Sequence, residues 1–80
     1  MKNINILFFG KLKETWNASK TNIQTQASSV DELYAELLKT ASEEPHKASI
    51  KVAINEEFAD WDSEITDQDT IALLPPASGG

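Results

Sequence analysis

The chain has 80 residues and a formal net charge of −6, enough for one small hydrophobic core but not for two. It contains no cysteine, which excludes disulfides, thiolate metal sites and thiol nucleophiles. It also lacks arginine, so nucleic acid is not an expected partner, and no apolar run approaches the roughly 18 residues of a membrane span. We therefore expect a cytoplasmic protein with protein partners, although acidity alone also keeps small domains in solution.

Two strands joined by a hairpin-like connection are predicted in the first third of the chain. In residues 4–9 apolar side chains recur at every second position, which is the period of a strand with one apolar face. Gly10 ends this run, and residues 11–17 are predicted as a loop or a single helical turn. Residues 21–26, which are rich in β-branched side chains, predict the second strand.

A helix is predicted to begin after Ser29. The segment Ser29-Val30-Asp31-Glu32 has the form of a capping box, in which the Ser29 hydroxyl accepts from the Glu32 N–H and Glu32 reaches back. Apolar residues then recur with helical spacing, at Val30, Leu33, Tyr34, Leu37, Leu38 and Ala41. Because Pro45 forbids continuation, we expect a helix of about three turns.

The second half of the chain predicts three further strands. Residues 49–55 alternate as a strand that ends in a turn at 55–57, and the less regular residues 58–65 predict a short strand and a turn. After a turn at 67–69, residues 70–74 form the last strand. This element order predicts an α+β fold, a mixed sheet with one main helix packed on one face.

The chain ends in a tail of six residues, which are Pro75, Pro76, Ala77, Ser78, Gly79 and Gly80. The two prolines end any sheet ladder, so residues 1–74 are predicted as the folded domain and residues 75–80 as an extended reactive tail. Such a tail spans about 20 Å. Its glycines can thread a narrow channel, leaving the α-carboxylate of Gly80 as the candidate reactive group. The alternative is a frayed terminus or an expression scar.

A second apolar face is predicted beside the tail. By strand parity, Leu7, Phe9, Ala72 and Leu74 lie on the sheet face opposite the apolar residues that the helix covers. If the first and last strands are neighbours, these four form an exposed patch of the kind that marks protein interfaces. The alternative is a few partly exposed hydrophobic residues without a partner.

Other motifs carry less chemistry. The acidic residues between positions 60 and 69 are expected in turns, since no histidine, arginine or nucleophile stands near them to build a catalytic site. His46, the only histidine, has no second ligand to complete a metal site. We predict no metal and no permanently bound cofactor.

Four segments together resemble one known family over nearly the whole chain. They are Ile6-Leu7-Phe8-Phe9-Gly10-Lys11-Leu12-Lys13-Glu14, Ser29-Val30-Asp31-Glu32-Leu33, Val52-Ala53-Ile54-Asn55-Glu56-Glu57-Phe58 and Ile71-Ala72-Leu73-Leu74-Pro75-Pro76-Ala77-Ser78-Gly79-Gly80. The chain is similar to the small, sulfur-carrying subunit of molybdopterin synthase, and the ending is the specific part. The resemblance implies the ubiquitin-like β-grasp fold, which agrees with the predicted element order.

The resemblance also implies that Gly80 is the reacting residue. A ubiquitin-activating-like adenylyltransferase would consume ATP to join AMP to its carboxylate, because an ionised carboxylate is a poor electrophile. Sulfur then displaces AMP to give a thiocarboxylate. In the family the sulfur goes to cyclic pyranopterin monophosphate, which builds the molybdopterin of molybdenum cofactor biosynthesis.

The implied partner is the large catalytic subunit of molybdopterin synthase, in a heterotetramer of two small and two large chains. Its active site would receive the tail, so this chain donates sulfur without supplying catalytic groups, and Leu74 matches the family's interface position. Three positions depart from the family pattern, with Gln68 replacing a usual glycine, Thr70 a frequent glutamate and Lys13 an arginine. Gln68 makes a positive-φ turn costlier, so that turn could differ in type.

Two alternatives stay open. The chain could be another ubiquitin-like sulfur carrier, for thiamine or tRNA thiolation, or a modifier conjugated to lysines, although Phe8-Phe9 and Pro75-Pro76 argue against the thiamine carrier. It could also be a plain ubiquitin-like binding module that uses the exposed apolar face. The sequence leaves open whether the finished cofactor carries molybdenum or tungsten and which activating enzyme serves the chain.

Overall fold

The computed structural model describes residues 1–75, which contain five β-strands and two α-helices. The elements are β1 (Lys2–Phe8), α1 (Leu12–Trp16), β2 (Lys20–Thr25), α2 (Val30–Leu37), β3 (Lys51–Ile54), β4 (Glu57–Ala59) and β5 (Thr70–Leu74). Short 3₁₀ helices at Leu38–Thr40 and Lys47–Ser49 follow α2 and precede β3. The division into a domain of residues 1–74 and a tail stays a prediction, since residues 76–80 lie outside the described part.

The five strands form one mixed sheet in the order β2-β1-β5-β3-β4. The first and last strands, β1 and β5, lie side by side and parallel, with Leu7 beside Ala72. The other neighbouring strands are antiparallel. Because α2 packs against one face of this sheet, the predicted mixed sheet with one main helix is confirmed.

The core lies between α2 and the inner face of the sheet. Alternating residues of β1 and β5 fill its centre, and they are Ile4, Ile6, Phe8, Ile71 and Leu73. The apolar stripe of α2 covers them through Val30, Leu33, Tyr34 and Leu37. Burying each of the larger side chains stabilises the fold by about 1.5–3 kcal/mol. The predicted assignment of these residues to the covered face is confirmed.

Trp16 closes one side of the core and joins three elements. Its indole stacks on Phe8 with ring centroids 4.9 Å apart, and it meets Tyr34 edge-on at 6.2 Å. Its Nε1–H donates to the Leu37 carbonyl at 2.7 Å. The last carbonyls of a helix lack partners within the helix, so this bond satisfies one of them while it ties α1 to α2.

The predicted capping box is confirmed in one of its two bonds. The Ser29 hydroxyl accepts from the Glu32 N–H at 3.2 Å, but Glu32 Oε1 accepts from the Ser28 N–H at 2.7 Å instead of from the N–H of Ser29 itself. Ser29 is held in an isolated antiparallel bridge with Glu64, which links the start of α2 to the loop before β5. The cap is therefore shared between the helix and a tertiary contact.

The main helix and the third strand differ from their predicted form, and the first two strands are displaced by one or two residues from their predicted bounds. The α-helical part of the main helix ends at Leu37, and a 3₁₀ turn continues it to Thr40, so together they make the predicted length. The third strand begins at Lys51 instead of residue 49, because Lys47–Ser49 form a 3₁₀ turn with the Ile50 N–H donating to the Lys47 carbonyl.

The last turn keeps a left-handed residue although it lacks glycine there. Gln68 has φ +74°, and the Asp69 N–H donates to the Thr66 carbonyl at 3.1 Å across the turn. A positive φ at the third residue is the feature of a type II turn. The Gln68 N–H also donates to the Asn3 carbonyl at 2.7 Å. This tertiary bond holds the turn in place, and Gln68 adopts the left-handed conformation despite its steric cost. The change of turn type that the sequence left open is therefore not observed.

Candidate functional site

The sheet face that α2 leaves uncovered carries an apolar row across four strands. Leu7 of β1 lies beside Ala72 of β5, Ala72 lies opposite Ala53 of β3, and Ala53 lies opposite Phe58 of β4. Side chains on one face of a sheet at these positions are direct neighbours. Phe58 is the most prominent, because it is 80% exposed.

Two further apolar side chains extend this row toward the tail. Phe9, which is 41% exposed, and the partly buried Leu74 line one shallow depression of about 270 Å³ with the row. We call the set the outer patch, and its members are Leu7, Phe9, Ala53, Phe58, Ala72 and Leu74. The structure thus brings together all four residues predicted for the interface, although binding of a partner there stays a prediction.

The outer patch is confined to the end of the sheet nearest the tail. Further along the same face, the Asn22 amide donates to Asn5 Oδ1 at 3.0 Å and the Thr70 N–H donates to Asn55 Oδ1 at 2.9 Å. The first bond joins β2 to β1, and the second joins β5 to the residue that follows β3. A partner that buries apolar surface on this face would therefore lie over the end from which the tail departs.

Charges of opposite sign flank the outer patch. Lys20 and Lys51 lie beside it, in register with Leu7 and Leu74 respectively. On the β4 side, Glu56 lines the same depression as Phe58, and residues 52–80 contain no lysine. A complementary partner should present an apolar centre with a basic rim against β4, which would set the orientation of docking.

Phe58 and Ala53 were missed as site residues by the sequence prediction. The prediction placed a three-residue turn at 55–57 and left residues 58–65 irregular. A two-residue hairpin turn at Asn55-Glu56 would have placed Phe58 opposite Ala53, because turn length sets the register of a hairpin. The signal was the asparagine at the first turn position, which tolerates positive φ.

Pro75 is the last described residue and the first of the tail. It is partly buried beside Gly10, and Leu74 immediately before it belongs to the outer patch. The rest of the predicted site lies outside the described residues, and it consists of Pro76, Ala77, Ser78, Gly79 and Gly80. The root of the tail and the outer patch therefore occupy the same end of the sheet.

The acidic residues of the predicted turns and His46 lie in local turns. Asp60 is in a turn in which its N–H donates to Ser63 Oγ and its carbonyl accepts from the Ser63 N–H. His46 is exposed at the start of a 3₁₀ turn. Within residues 1–75, no three His, Asp or Glu side chains are placed to hold a metal ion, and no helix is long and apolar enough to cross a membrane.

Three carboxylates with lowered pKa values lie away from the outer patch. The pKa of Glu32 is lowered chiefly by the bond from the Ser28 N–H, and the pKa of Asp67 chiefly by the bond from the Asn3 N–H at 2.6 Å. The pKa of Asp69 is lowered as well, by hydrogen bonds that outweigh its burial. All three accept backbone N–H groups at turns or at a helix start, so they stabilise local structure and are not candidates for acid–base chemistry.

Solved structures with this fold cover almost the whole chain. A protein described as molybdopterin converting factor, subunit 1, from Pyrococcus furiosus aligns with TM-score 0.81 at 21% identity, covering 96% of this chain and 100% of that chain. Small archaeal modifier protein 1 from Methanosarcina acetivorans aligns with TM-score 0.80 at 20% identity, covering 100% and 98%. In a complex of subunits 1 and 2 of the molybdopterin-converting factor from Helicobacter pylori 26695, the matching chain has TM-score 0.71 and 26% identity, covering 98% and 99%.

These likenesses confirm the predicted β-grasp architecture, which is the fold of ubiquitin-like sulfur carriers. The chain belongs to the ThiS family, whose sequence profile matches residues 6–80. The match begins within β1 and continues through the tail. The resemblance to a ubiquitin-like sulfur carrier is thereby confirmed.

Proposed function

We propose that this chain is the sulfur-carrier subunit of a molybdopterin synthase. Its Gly80 is adenylated, converted to a thiocarboxylate and used to sulfurate cyclic pyranopterin monophosphate in the formation of molybdopterin. Support comes from ThiS family membership, from the diglycine ending and from the likeness to a chain in a complex of subunits 1 and 2 of a molybdopterin-converting factor.

The activation chemistry follows from the properties of a carboxylate. At neutral pH the Gly80 carboxylate is ionised, so an adenylyltransferase first joins it to AMP from ATP, with pyrophosphate as the leaving group. A hydrosulfide equivalent then attacks the carbonyl carbon and AMP leaves, which forms the C–S bond of the thiocarboxylate. Transfer of the sulfur and addition of water restore the carboxylate, and the carrier can be charged again.

The observation that carries this proposal is the position of the outer patch directly beside the root of the tail. Leu74 ends β5 within the patch, and Pro75 follows it. A partner that binds the patch therefore holds the chain at the point from which Gly80 extends. Because the patch itself consists of apolar side chains, the catalytic groups belong to the partner, which we propose is the large subunit in a heterotetramer.

Intact-mass measurement tests the reaction at Gly80. Co-expression with an adenylyltransferase of this type and its sulfur donor should raise the mass by about 16 Da, since one oxygen is exchanged for sulfur. A chain that lacks Gly80 should keep its unmodified mass, whereas Gln24→Ala on the far strand should gain the same increment as the wild type. The purified thiocarboxylate should then sulfurate cyclic pyranopterin monophosphate when the large subunit is added. Full sulfuration by the chain that lacks Gly80 would falsify the proposal.

A second candidate function is protein modification, favoured by the likeness to small archaeal modifier protein 1. In that case Gly80 would form an isopeptide bond with a lysine of another protein. Because Lys51 is the last lysine, trypsin would leave residues 52–80 attached to the modified lysine, and mass spectrometry can search for that adduct. Protein modification would be favoured over sulfur transfer by two results together. The adducts would form only when Gly80 is present, and pterin sulfuration in the same cells would continue without Gly80.

A further inference from the structure

The root of the tail rests on a glycine turn. Gly10 follows β1, and its φ of +56° lies in the left-handed region that favours glycine. The preceding Phe9 N–H donates to the Leu73 carbonyl at 3.3 Å, and the Gly10 carbonyl accepts from the Lys13 N–H at 3.1 Å. The turn is therefore tied to β5 on one side and to α1 on the other, and it has little freedom to move.

The ring of Pro75 covers the Cα atom of Gly10. A Cβ atom at position 10 would lie 2.7 Å from Pro75 Cγ and 3.6 Å from Pro75 Cδ. Carbon atoms in favourable contact are about 3.5–4.0 Å apart, so the shorter distance demands a displacement. The proline ring is closed onto its own backbone and cannot rotate away as a flexible side chain would. Any side chain at position 10 therefore pushes on the backbone from which the tail begins.

We propose that Gly10 is a positioning residue for sulfur transfer, because its lack of a side chain lets Pro75 seat against β1 and sets the direction in which the tail leaves the sheet. This inference rests on the proposed function of Gly80. The outer patch is expected to bind the partner whether or not Pro75 is seated against Gly10. When Pro75 is displaced, however, the reacting group at Gly80 is misaligned with the partner's active site. A misplacement of about 1 Å can cost about 100-fold in rate.

The test measures binding and transfer separately for the variant Gly10→Ala. The variant is prepared as the thiocarboxylate and mixed with excess large subunit and cyclic pyranopterin monophosphate in a single-turnover experiment. We expect the transfer rate to fall about tenfold to a hundredfold while the affinity for the large subunit stays within about threefold of wild type. A general folding defect would lower the affinity for the large subunit as well as the transfer rate.

Two matched variants separate the contact with Pro75 from backbone strain. Asn17, at the other end of α1, has φ +54°, so Asn17→Ala places alanine in nearly the same left-handed conformation but away from the tail. It should transfer sulfur at the wild-type rate. In the Pro75→Ala background, which removes Cγ and Cδ, Gly10→Ala should cost less than about threefold, because the two residues then no longer collide.

The contact can also be observed without a partner. The isolated wild-type chain should show a nuclear Overhauser effect between the Gly10 Hα and Pro75 Hγ protons, and its absence would overturn the inference. Three kinetic results would also overturn it. They are a wild-type transfer rate in Gly10→Ala, an equal loss of transfer rate in Asn17→Ala, and a loss from Gly10→Ala that is just as large in the Pro75→Ala background. The wild-type thiocarboxylate could transfer no sulfur although the nuclear Overhauser effect between Gly10 and Pro75 is observed. In that case the proposed function is wrong, but the contact between Pro75 and Gly10 is confirmed.

Discussion

At the residue scale, the hairpin between β3 and β4 holds a glutamate in a conformation that favours glycine. Asn55 and Glu56 have φ values of +51° and +74°, which is the pattern of a type I′ turn. Asparagine tolerates this region well, but glutamate carries a strain of about 1 kcal/mol. Within residues 1–75 the Glu56 side chain makes no hydrogen bond or ion pair that would offset this strain.

Replacing Glu56 by glycine should stabilise the protein. We expect Glu56→Gly to raise the free energy of unfolding by about 1 kcal/mol, and the melting temperature by about 4–8 °C. Glu57→Gly makes the same chemical change at the next residue, which lies in strand β4, and it should destabilise by about 0.5–1 kcal/mol. Thermal and urea unfolding measure both. Equal effects at the two positions would show that charge removal, and not backbone strain, is responsible.

Asp69 links stability to pH. Burial acts to raise its pKa, but the bonds donated by the Thr66 N–H at 2.8 Å and the Asn55 amide at 2.9 Å make the net shift downward. The folded state thus holds this proton less tightly than the unfolded state, whose aspartate pKa is about 3.9. The stabilisation is therefore present above about pH 4 and is lost as the pH falls through the lower folded-state pKa.

The variant Asp69→Asn should show this dependence directly. At pH 7 it should lower the free energy of unfolding by about 1–3 kcal/mol, since bonds to a charged acceptor are lost. The difference from wild type should shrink between about pH 5 and pH 2, as the wild-type carboxylate becomes protonated. The exposed Asp62→Asn should stay within about 0.5 kcal/mol of wild type throughout. Urea unfolding measures these differences across the pH range. If the difference in free energy of unfolding between Asp69→Asn and wild type does not change with pH, the Asp69 carboxylate is not the source of the pH dependence.

At the scale of elements, the start of α2 depends on tertiary contacts as much as on its cap. The first two N–H groups of the helix, those of Val30 and Asp31, donate to the carbonyls of Ser63 and Trp61 at 3.1 and 2.8 Å. The first N–H groups of a helix have no partner within the helix. The loop before β5 supplies these acceptors, so it is held against the helix although its sequence has no regular pattern.

Two neighbouring serines distinguish the cap from its surroundings. Ser29→Ala removes the acceptor for the Glu32 N–H and should lower the free energy of unfolding by about 1 kcal/mol. Ser28→Ala removes only a hydroxyl bond to Glu32 and keeps the backbone N–H that Glu32 also accepts, so it should cost less than half as much. Urea unfolding gives both values. If the two variants cost the same, the Ser29 hydroxyl is not the principal cap.

At the scale of the whole molecule, the inner face of the sheet holds the fold together and the outer face carries the exposed outer patch. Phe58 contributes the largest exposed apolar area of the outer patch while lying on an edge strand, so it adds little to the core. Aromatic side chains in such positions are frequent sources of binding energy at interfaces. A substitution at Phe58 can therefore test partner binding while it leaves the core intact.

A charge at Phe58 should weaken the partner complex without unfolding the chain. We expect Phe58→Asp to reduce the affinity for the large subunit by at least about thirtyfold, as for a lost aromatic anchor. Gln24→Asp, on the same sheet face but on the far strand β2, introduces the same charge and should change affinity by less than about threefold. Calorimetric titration measures affinity, and thermal unfolding checks both variants. Wild-type affinity in Phe58→Asp would remove the outer patch from the interface.

The sequence by itself determined which side chains share a face and where the main helix begins. Strand parity separated Leu7 and Ala72 from Ile6 and Ile71, since successive strand residues point to opposite faces whatever their neighbours are. These are local properties of the backbone, so the sequence is enough to predict them.

The tertiary structure alone decided which distant residues meet. Phe58 joined the outer patch through the pairing of β4 with β3, and Pro75 came to rest on Gly10 because β5 lies between β3 and β1 and follows β1 in parallel. Strand order and register depend on how the whole core is buried, and local periodicity carries no information about them. The sequence therefore predicted an apolar face and a tail that begins at Pro75, and the packing of distant strands placed Pro75 and that face at one end of the sheet.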